Sequence, residues 1–174
     1  MNFWITTDTH LGHERMVTKF KTRLPRFEED IFKGFACIEP GDILIHLGDV
    51  AFKNESFWHS LISEIKCKKW LVLGNHDKNS LTWYLQRGWD FVGETFTLNF
   101  MGHVILFSHV PQPFTGKNYT INIHGHFHDN DHRHREPYLV AIKNERHYLL
   151  AIETNKYKLF NLKTILKNFK KVDK

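Results

Sequence analysis

Apolar positions along the chain fall into two spacings, one of strand type and one of helix type. Unbroken apolar runs of strand length predict buried strands over residues 2–6, 42–47 and 70–73, the second opened by the turn Pro40-Gly41-Asp42. Helical spacing of Phe27, Ile31, Phe32, Phe35 and Ile38 predicts a helix over 27–38, with Pro25 ahead of it. Phe57, Leu61, Ile62 and Ile65 share one face of a second helix over 56–66, and a short third helix is expected over 81–87. Beyond Gly93 the pattern changes to strands, over 95–100, 104–108 and 119–124. Residues 138–142 and 148–153 read as a hairpin around Lys143-Asn144-Glu145-Arg146, and 162–169 as a closing helix. Strand and helix alternate early, and strands dominate late. That order predicts an α/β fold of two packed sheets with helices outside.

Length and composition narrow this picture. The 174 residues fit a single domain over 1–174, and 41% apolar content is enough for a core. The longest apolar runs, 43–45 and 104–107, fall far short of the roughly 20 residues of a membrane span. The N-terminal residues lead straight into Phe3-Trp4-Ile5 without a basic segment, so no signal peptide and a cytoplasmic location are expected. Cys37 and Cys67 lack C-x-x-C spacing and are expected to be free, buried thiols. The formal charge of +5 suits an anionic partner, though it equally serves solubility. Much of the excess lies in Lys156, Lys158, Lys163, Lys167, Lys170, Lys171 and Lys174.

The distribution of the 13 histidines changes the picture more. Each of five expected strands ends in a loop of metal-ligand type: Asp8-Thr9-His10, Gly48-Asp49, Gly74-Asn75-His76-Asp77, Ser108-His109 and Gly125-His126-Phe127-His128. Loops at the carboxyl ends of parallel strands converge on one crevice. Any one of these signals is weak, but five in succession, each after an apolar strand, are hard to reach by chance. Two divalent ions about 4 Å apart repel by about 16 kcal/mol at an effective dielectric near 20, so an anion must sit between them. A bridging carboxylate meets that need, while neutral imidazoles and an amide carbonyl fill the remaining positions. Nitrogen and oxygen donors without thiolate suit manganese, iron, zinc, cobalt or nickel.

These residues resemble the calcineurin-like metallophosphoesterase superfamily, whose pattern is D-x-H, G-D, G-N-H-D/E, a lone H, then G-H-x-H. The set is complete and in order between residues 8 and 128. Asp8-Thr9-His10-Leu11-Gly12-His13 and His46-Leu47-Gly48-Asp49 are similar to a small single-domain bacterial and phage subgroup. The resemblance implies a two-sheet αββα sandwich holding two divalent transition metals, manganese foremost. It implies that Asp8, His10 and His128 hold one ion, that Asn75, His109 and His126 hold the other, and that Asp49 bridges them. It makes His76 the group that stabilises or protonates the leaving oxygen, with Asp77 accepting a hydrogen bond from it. The implied reaction is hydrolysis of a phosphodiester or phosphomonoester by a hydroxide bridging the metals. The substrate is a phosphorylated small molecule, a nucleotide or nucleic acid.

Other residues carry weaker expectations. His13 and Asn75 are candidates for contact with the phosphate. His46 and His124 alternate with apolar neighbours and read as packed strand histidines. His132 and His134 sit in a charged run that reads as a solvated loop. Phe127 and Tyr119 are expected in the core, with stacking on a base as the alternative, and Trp58, Trp83 and Trp89 in the core. Two competing readings stand beside the phosphoesterase: a nuclease that grips a backbone with its lysine-rich tail, and a non-catalytic scaffold, which should have lost some of these residues.

Overall fold

In the computed structural model, residues 1–114, 119–129 and 136–169 are described. Strands β1 (Phe3–Thr6), β2 (Ile43–His46), β3 (Lys68–Val72) and β4 (Phe91–Gly93) run parallel. Strands β5 (Thr95–Phe100) and β6 (His103–Ser108) are antiparallel, and β7 (Ile121–His124) and β8 (His147–Leu149) continue parallel to β6. A final strand, β9 (Phe160–Asn161), pairs antiparallel with β1. The orders are β4-β3-β2-β1-β9 in one sheet and β5-β6-β7-β8 in the other.

Inward side chains explain why the sheets stack. Phe3, Ile5, Ile43, Ile45 and Val72 of the first sheet meet Ile105, Phe107, Ile121 and Ile123 of the second. The opposite face of the first sheet, with Leu44 and Leu71, lies under helices. It packs against Phe27, Ile31 and Phe35 of α2 (Phe27–Phe35), Ile62 of α3 (Glu55–Ser63) and Tyr84 of α4 (Leu81–Leu85). Burial on both faces is why these strands read as continuous apolar runs. Glu28, Glu29 and Asp30 sit in the first turn of α2, where the helix dipole favours negative charge. Trp89 is buried in this layer, and Trp58 and Trp83 pack partly buried against it.

The structure departs from expectation in places that matter. Residues 138–142 form a helix, α5 (Pro137–Ala141), not a strand. Pro137 supplies a helical φ and needs no N–H partner in the first turn, and only Leu139 of this segment is buried. The expected hairpin is therefore absent, and β8 lies parallel to β7. Its carboxyl end then points the same way as those of β1, β2, β3, β6 and β7. The short α1 (Arg15–Thr18) and β4 were not expected. Cys37 is exposed and Cys67 half-buried, so neither is the buried thiol expected, although both are free.

Helix α6 (Leu162–Asn168) closes the core with Leu162, Ile165 and Leu166. Asn161 caps it by accepting from the Lys163 N–H at 3.0 Å. Asn161 pairs with Trp4, and Phe169 lies 6.2 Å, ring to ring, from His103 at the start of β6. Both helix ends thus sit at the end of the sheets opposite the His109 loop. No helix among the described residues is long and apolar enough to cross a membrane.

Candidate metal centre

The loops after β1 and β2 extend the parallel pairing beyond the sheet. Asp8 N–H donates to Gly48 O at 2.9 Å, His10 N–H to Asp49 O at 3.0 Å and Leu11 N–H to Val50 O at 2.9 Å. Asp8, His10, Asp49, His126 and His128 all have positive φ, between 45° and 72°. Non-glycine residues rarely adopt this conformation. Here it turns successive side chains of three loops toward one point, and the cost of order 1 kcal/mol each is borne by the surrounding packing. Glycines sit where backbones crowd. A Cβ at Gly74 would come 2.5 Å from the Asp49 nitrogen, and one at Gly125 would overlap Thr7 Oγ1 and Asp8 Oδ2.

Each central carboxylate has one oxygen anchored and one turned inward. Asp8 Oδ2 accepts from the Thr7 hydroxyl at 2.6 Å and His126 N–H at 2.9 Å, whereas Oδ1 is buried with no hydrogen-bond partner. Asp49 Oδ1 accepts from His76 N–H at 2.8 Å. Its Oδ2 lies 3.6 Å from His10 Nε2 and 3.6 Å from His109 Nε2. Burial pushes the Asp49 carboxyl up to about 6, against the pull of His109. Burial also works against ionised Asp8, but His128, His109 and His10 outweigh it and hold that group below the usual range.

The imidazoles are oriented from behind. His109 Nδ1–H donates to Leu47 O at 2.8 Å, His128 Nδ1–H to Glu153 Oε1 at 3.0 Å and His126 Nε2–H to Glu136 Oε2 at 2.7 Å. Such partners fix the tautomer and raise the basicity of the other nitrogen. In the neutral rings that a bound ion requires, the three remaining nitrogens carry lone pairs. His109 Nε2 faces His126 Nδ1 at 3.1 Å and Asn75 Oδ1 at 2.9 Å, and His128 Nε2 faces Asp8 Oδ1 at 3.8 Å. His10 Nε2 lies 3.9 Å from the same Asp8 oxygen.

This is an arrangement of acceptors facing acceptors, and it fits cations. Donors bound about 2.1 Å from one ion in tetrahedral geometry lie about 3.4 Å apart. The separations of 3.6–3.9 Å are too long for hydrogen bonds and close to that value. Two donor groups emerge, Asp8 with His10 and His128, and Asp8 with Asp49 and His109. Asp8 thus borders both groups, whereas the resemblance assigned it to one ion.

Glu153, Glu136 and Arg23 were not among the expected site residues. The Arg23 side chain is fully buried. It donates to Thr9 O, to Asp8 O at 2.5 Å and to Glu153 Oε1 at 2.6 Å. Burial opposes an ionised Glu153, yet His128 and Arg23 together hold its pKa below the ordinary value. Burial likewise opposes a charged His128, but Asp8 and Glu153 outweigh it.

His76 sits at the rim, its side chain 43% exposed and its Nε2 3.9 Å from Asp49 Oδ2. Asp77 does not take the expected hydrogen bond from His76. Its Oδ2 accepts from the N–H groups of Asp49 and Gly74, each at 2.8 Å, and its Oδ1 from Val50 N–H at 3.1 Å. Asp77 therefore ties the loop after β3 to the loop after β2. His13 is buried with its ring 5.9 Å from His10. His46 accepts from Gly48 N–H at 3.1 Å, and its other nitrogen pairs with the Thr9 hydroxyl at 2.9 Å, so it braces both loops from within. His124, Phe127 and Tyr119 are buried, which removes the two aromatics as stacking surfaces. His132 and His134 lie outside the described residues.

Comparison with solved structures gives a full-length likeness to the protein of unknown function AQ665 from Aquifex aeolicus. It has a TM-score of 0.75 and 24% identity, and the match covers 95% of this chain and 98% of that one. More distant are an archaeal phosphodiesterase (TM-score 0.47, 16% identity, 75% and 76% covered) and Yfce, a phosphoesterase from E. coli (0.43, 15%, 72% and 69%). No curated protein matches the chain. The profile of the calcineurin-like phosphoesterase family matches residues 1–173, and the chain belongs to that family.

Proposed function

We propose that this chain is a two-metal hydrolase of phosphodiester or phosphomonoester bonds. The observation that carries the reading is the inward oxygen of Asp49, equidistant at 3.6 Å from His10 Nε2 and His109 Nε2. One ion would be held by Asp8, His10, His128 and Asp49, the other by Asn75, His109, His126 and Asp49, with the Asp8 carboxylate close enough to add charge to either group. Bound divalent ions would supply Lewis acidity toward the phosphoryl oxygens and hydroxide at neutral pH. The donor set suits manganese, iron, zinc, cobalt or nickel, and the family resemblance puts manganese first.

The remaining work falls to side chains. The phosphorus–oxygen bond to the leaving group breaks as one to the incoming oxygen forms. His76, exposed at the rim and held by its own N–H on Asp49, would give its proton to the departing oxygen. On the family resemblance, Asn75 and His13 would contact the phosphate. A nuclease that grips a strand with its lysines is the second reading, and the lysines of the expected tail divide: Lys156 and Lys158 lie in the loop after Glu153. Lys163 and Lys167 belong to α6, at the end of the sheets opposite the centre.

The test is a substrate panel with the manganese-reconstituted protein: an aryl phosphate monoester, an aryl diester, a cyclic nucleotide and single-stranded DNA. Turnover of at least one, lost on chelation and restored by metal, is expected. Bound metal with no turnover of any would overturn the proposal.

A further inference from the structure

Beside the metal centre lies an aromatic surface whose two phenylalanines the hydrolytic reading does not use. Phe52 follows the loop after β2 and is fixed by its N–H to Leu11 O at 3.0 Å. The His13 ring lies flat against it, with centroids 3.9 Å apart and planes 8° from parallel. Phe52 also meets His76 edge-on at 5.6 Å, and Phe20 meets His13 edge-on at 6.1 Å. His13 is buried between them, yet Phe52 is 37% exposed and Phe20 50% exposed. His13 covers one face of Phe52, so a planar ligand would stack on the other, beside His76. Cations stand at its Phe20 end: the Arg15 guanidinium is 5.7 Å and the Lys19 ammonium 5.9 Å from the centre of the Phe20 ring. Lys53, which follows Phe52 in the chain, is paired with Glu14 at 3.5 Å.

Exposed aromatics with Arg15 and Lys19 at one end, next to a centre proposed to bind phosphate, match a planar ring carried on an anion. Stacking against such rings is how proteins hold nucleobases. We propose that Phe52, backed by His13 and flanked by Phe20, is a shelf for the nucleobase of a nucleotide substrate. The shelf adjoins His76, so the base belongs to the nucleoside on the leaving-group side. This inference rests on the phosphoesterase reading for its phosphate and adds the substrate class.

The test is binding. Adenosine 5′-monophosphate and ribose 5-phosphate, which share sugar and phosphate, would be titrated calorimetrically into the manganese-loaded protein, into F52A and into F52W. The nucleotide is expected to bind at least about 5-fold tighter than the sugar phosphate. That preference should collapse in F52A and persist in F52W, which keeps a ring. Equal affinities in the unmodified protein, or a preference that survives in F52A, would overturn the shelf. If F52A fails to fold by circular dichroism, F20A replaces it, with at least a 2-fold loss of preference expected and no loss counting against the shelf. The two readings fail separately. A base preference without hydrolysis of any ester would sink the phosphoesterase alone, and hydrolysis without base preference would sink the shelf alone.

Discussion

Replacing Arg23 with methionine removes the only buried cation, among the described residues, seen to join the β1 loop to the loop after β8. The side chain fits a similar volume, but Asp8 O and Thr9 O lose their guanidinium donor and Glu153 its counter-charge. Breaking a buried pair by deleting one partner costs about 3–5 kcal/mol. For a chain of this size that is a fall in melting temperature of roughly 6–20 °C. A second effect should appear at the metal. Glu153 orients His128 through a 3.0 Å hydrogen bond, and partners of this kind change metal affinity about 10- to 100-fold. The assays are thermal unfolding of the metal-free protein and manganese titration at a temperature where the variant stays folded. A loss below about 1 kcal/mol would mean that water replaces the guanidinium and that Arg23 is not structural. Unchanged metal affinity in a folded Arg23→Met variant would refute the link through Glu153 to His128.

Two further outcomes are expected. His76→Ala should retain both metals and lose about 10²- to 10⁴-fold in kcat, most for substrates with poor leaving groups; a uniform loss across leaving groups would remove its proton-donor role. Metal-free protein should also weaken in acid. Burial holds His46 and His124 down at about 3 and His59 at about 4, while the unfolded imidazoles titrate near 6.5. Stability from these groups is complete above pH 6.5 and falls as pH drops toward the folded values, by about 2 kcal/mol each at pH 5. Asp49, pushed up to about 6, works the other way by about 1 kcal/mol. These four groups together lose roughly 4 kcal/mol between pH 7 and 5. The lowered His10, His13, His126 and His147 deepen that loss and the raised His128 opposes it. Urea unfolding reads the sum, and constant stability over that range would contradict the assigned burial.

Strands β1, β2 and the apolar part of β3 were legible because they are buried on both faces, whereas the edge strands β4 and β9, three and two residues long and half-buried, were not. The ligand loops were legible for a related reason: asparagine, aspartate and histidine after an apolar strand have no packing role there. What stayed hidden depends on contacts distant in sequence. Arg23 and Glu153 meet across 130 residues, and neither has a sequence neighbour that hints at the other. Glu153 had one usable sign, since it follows a strand as the other site acids do. The expectation of a strand over 148–153 obscured it by putting the acid inside an element rather than beyond one. The error at 138–142 has a local cause. Tyr138, Leu139 and Val140 suit a strand, but Pro137 and the burial of Leu139 alone favour one helical turn. The role expected of Asp77 failed because adjacent residues in a tight loop need not face each other, and its oxygens instead serve three backbone N–H groups.

The claim at the centre of this account is that Asp49 joins two ions. Metal content per chain, measured by mass spectrometry on folded, manganese-reconstituted protein and on Asp49→Ala, tests it most directly. The account predicts two ions in the unmodified chain, and loss of at least one together with all activity in the variant. Both ions retained in folded Asp49→Ala would contradict it.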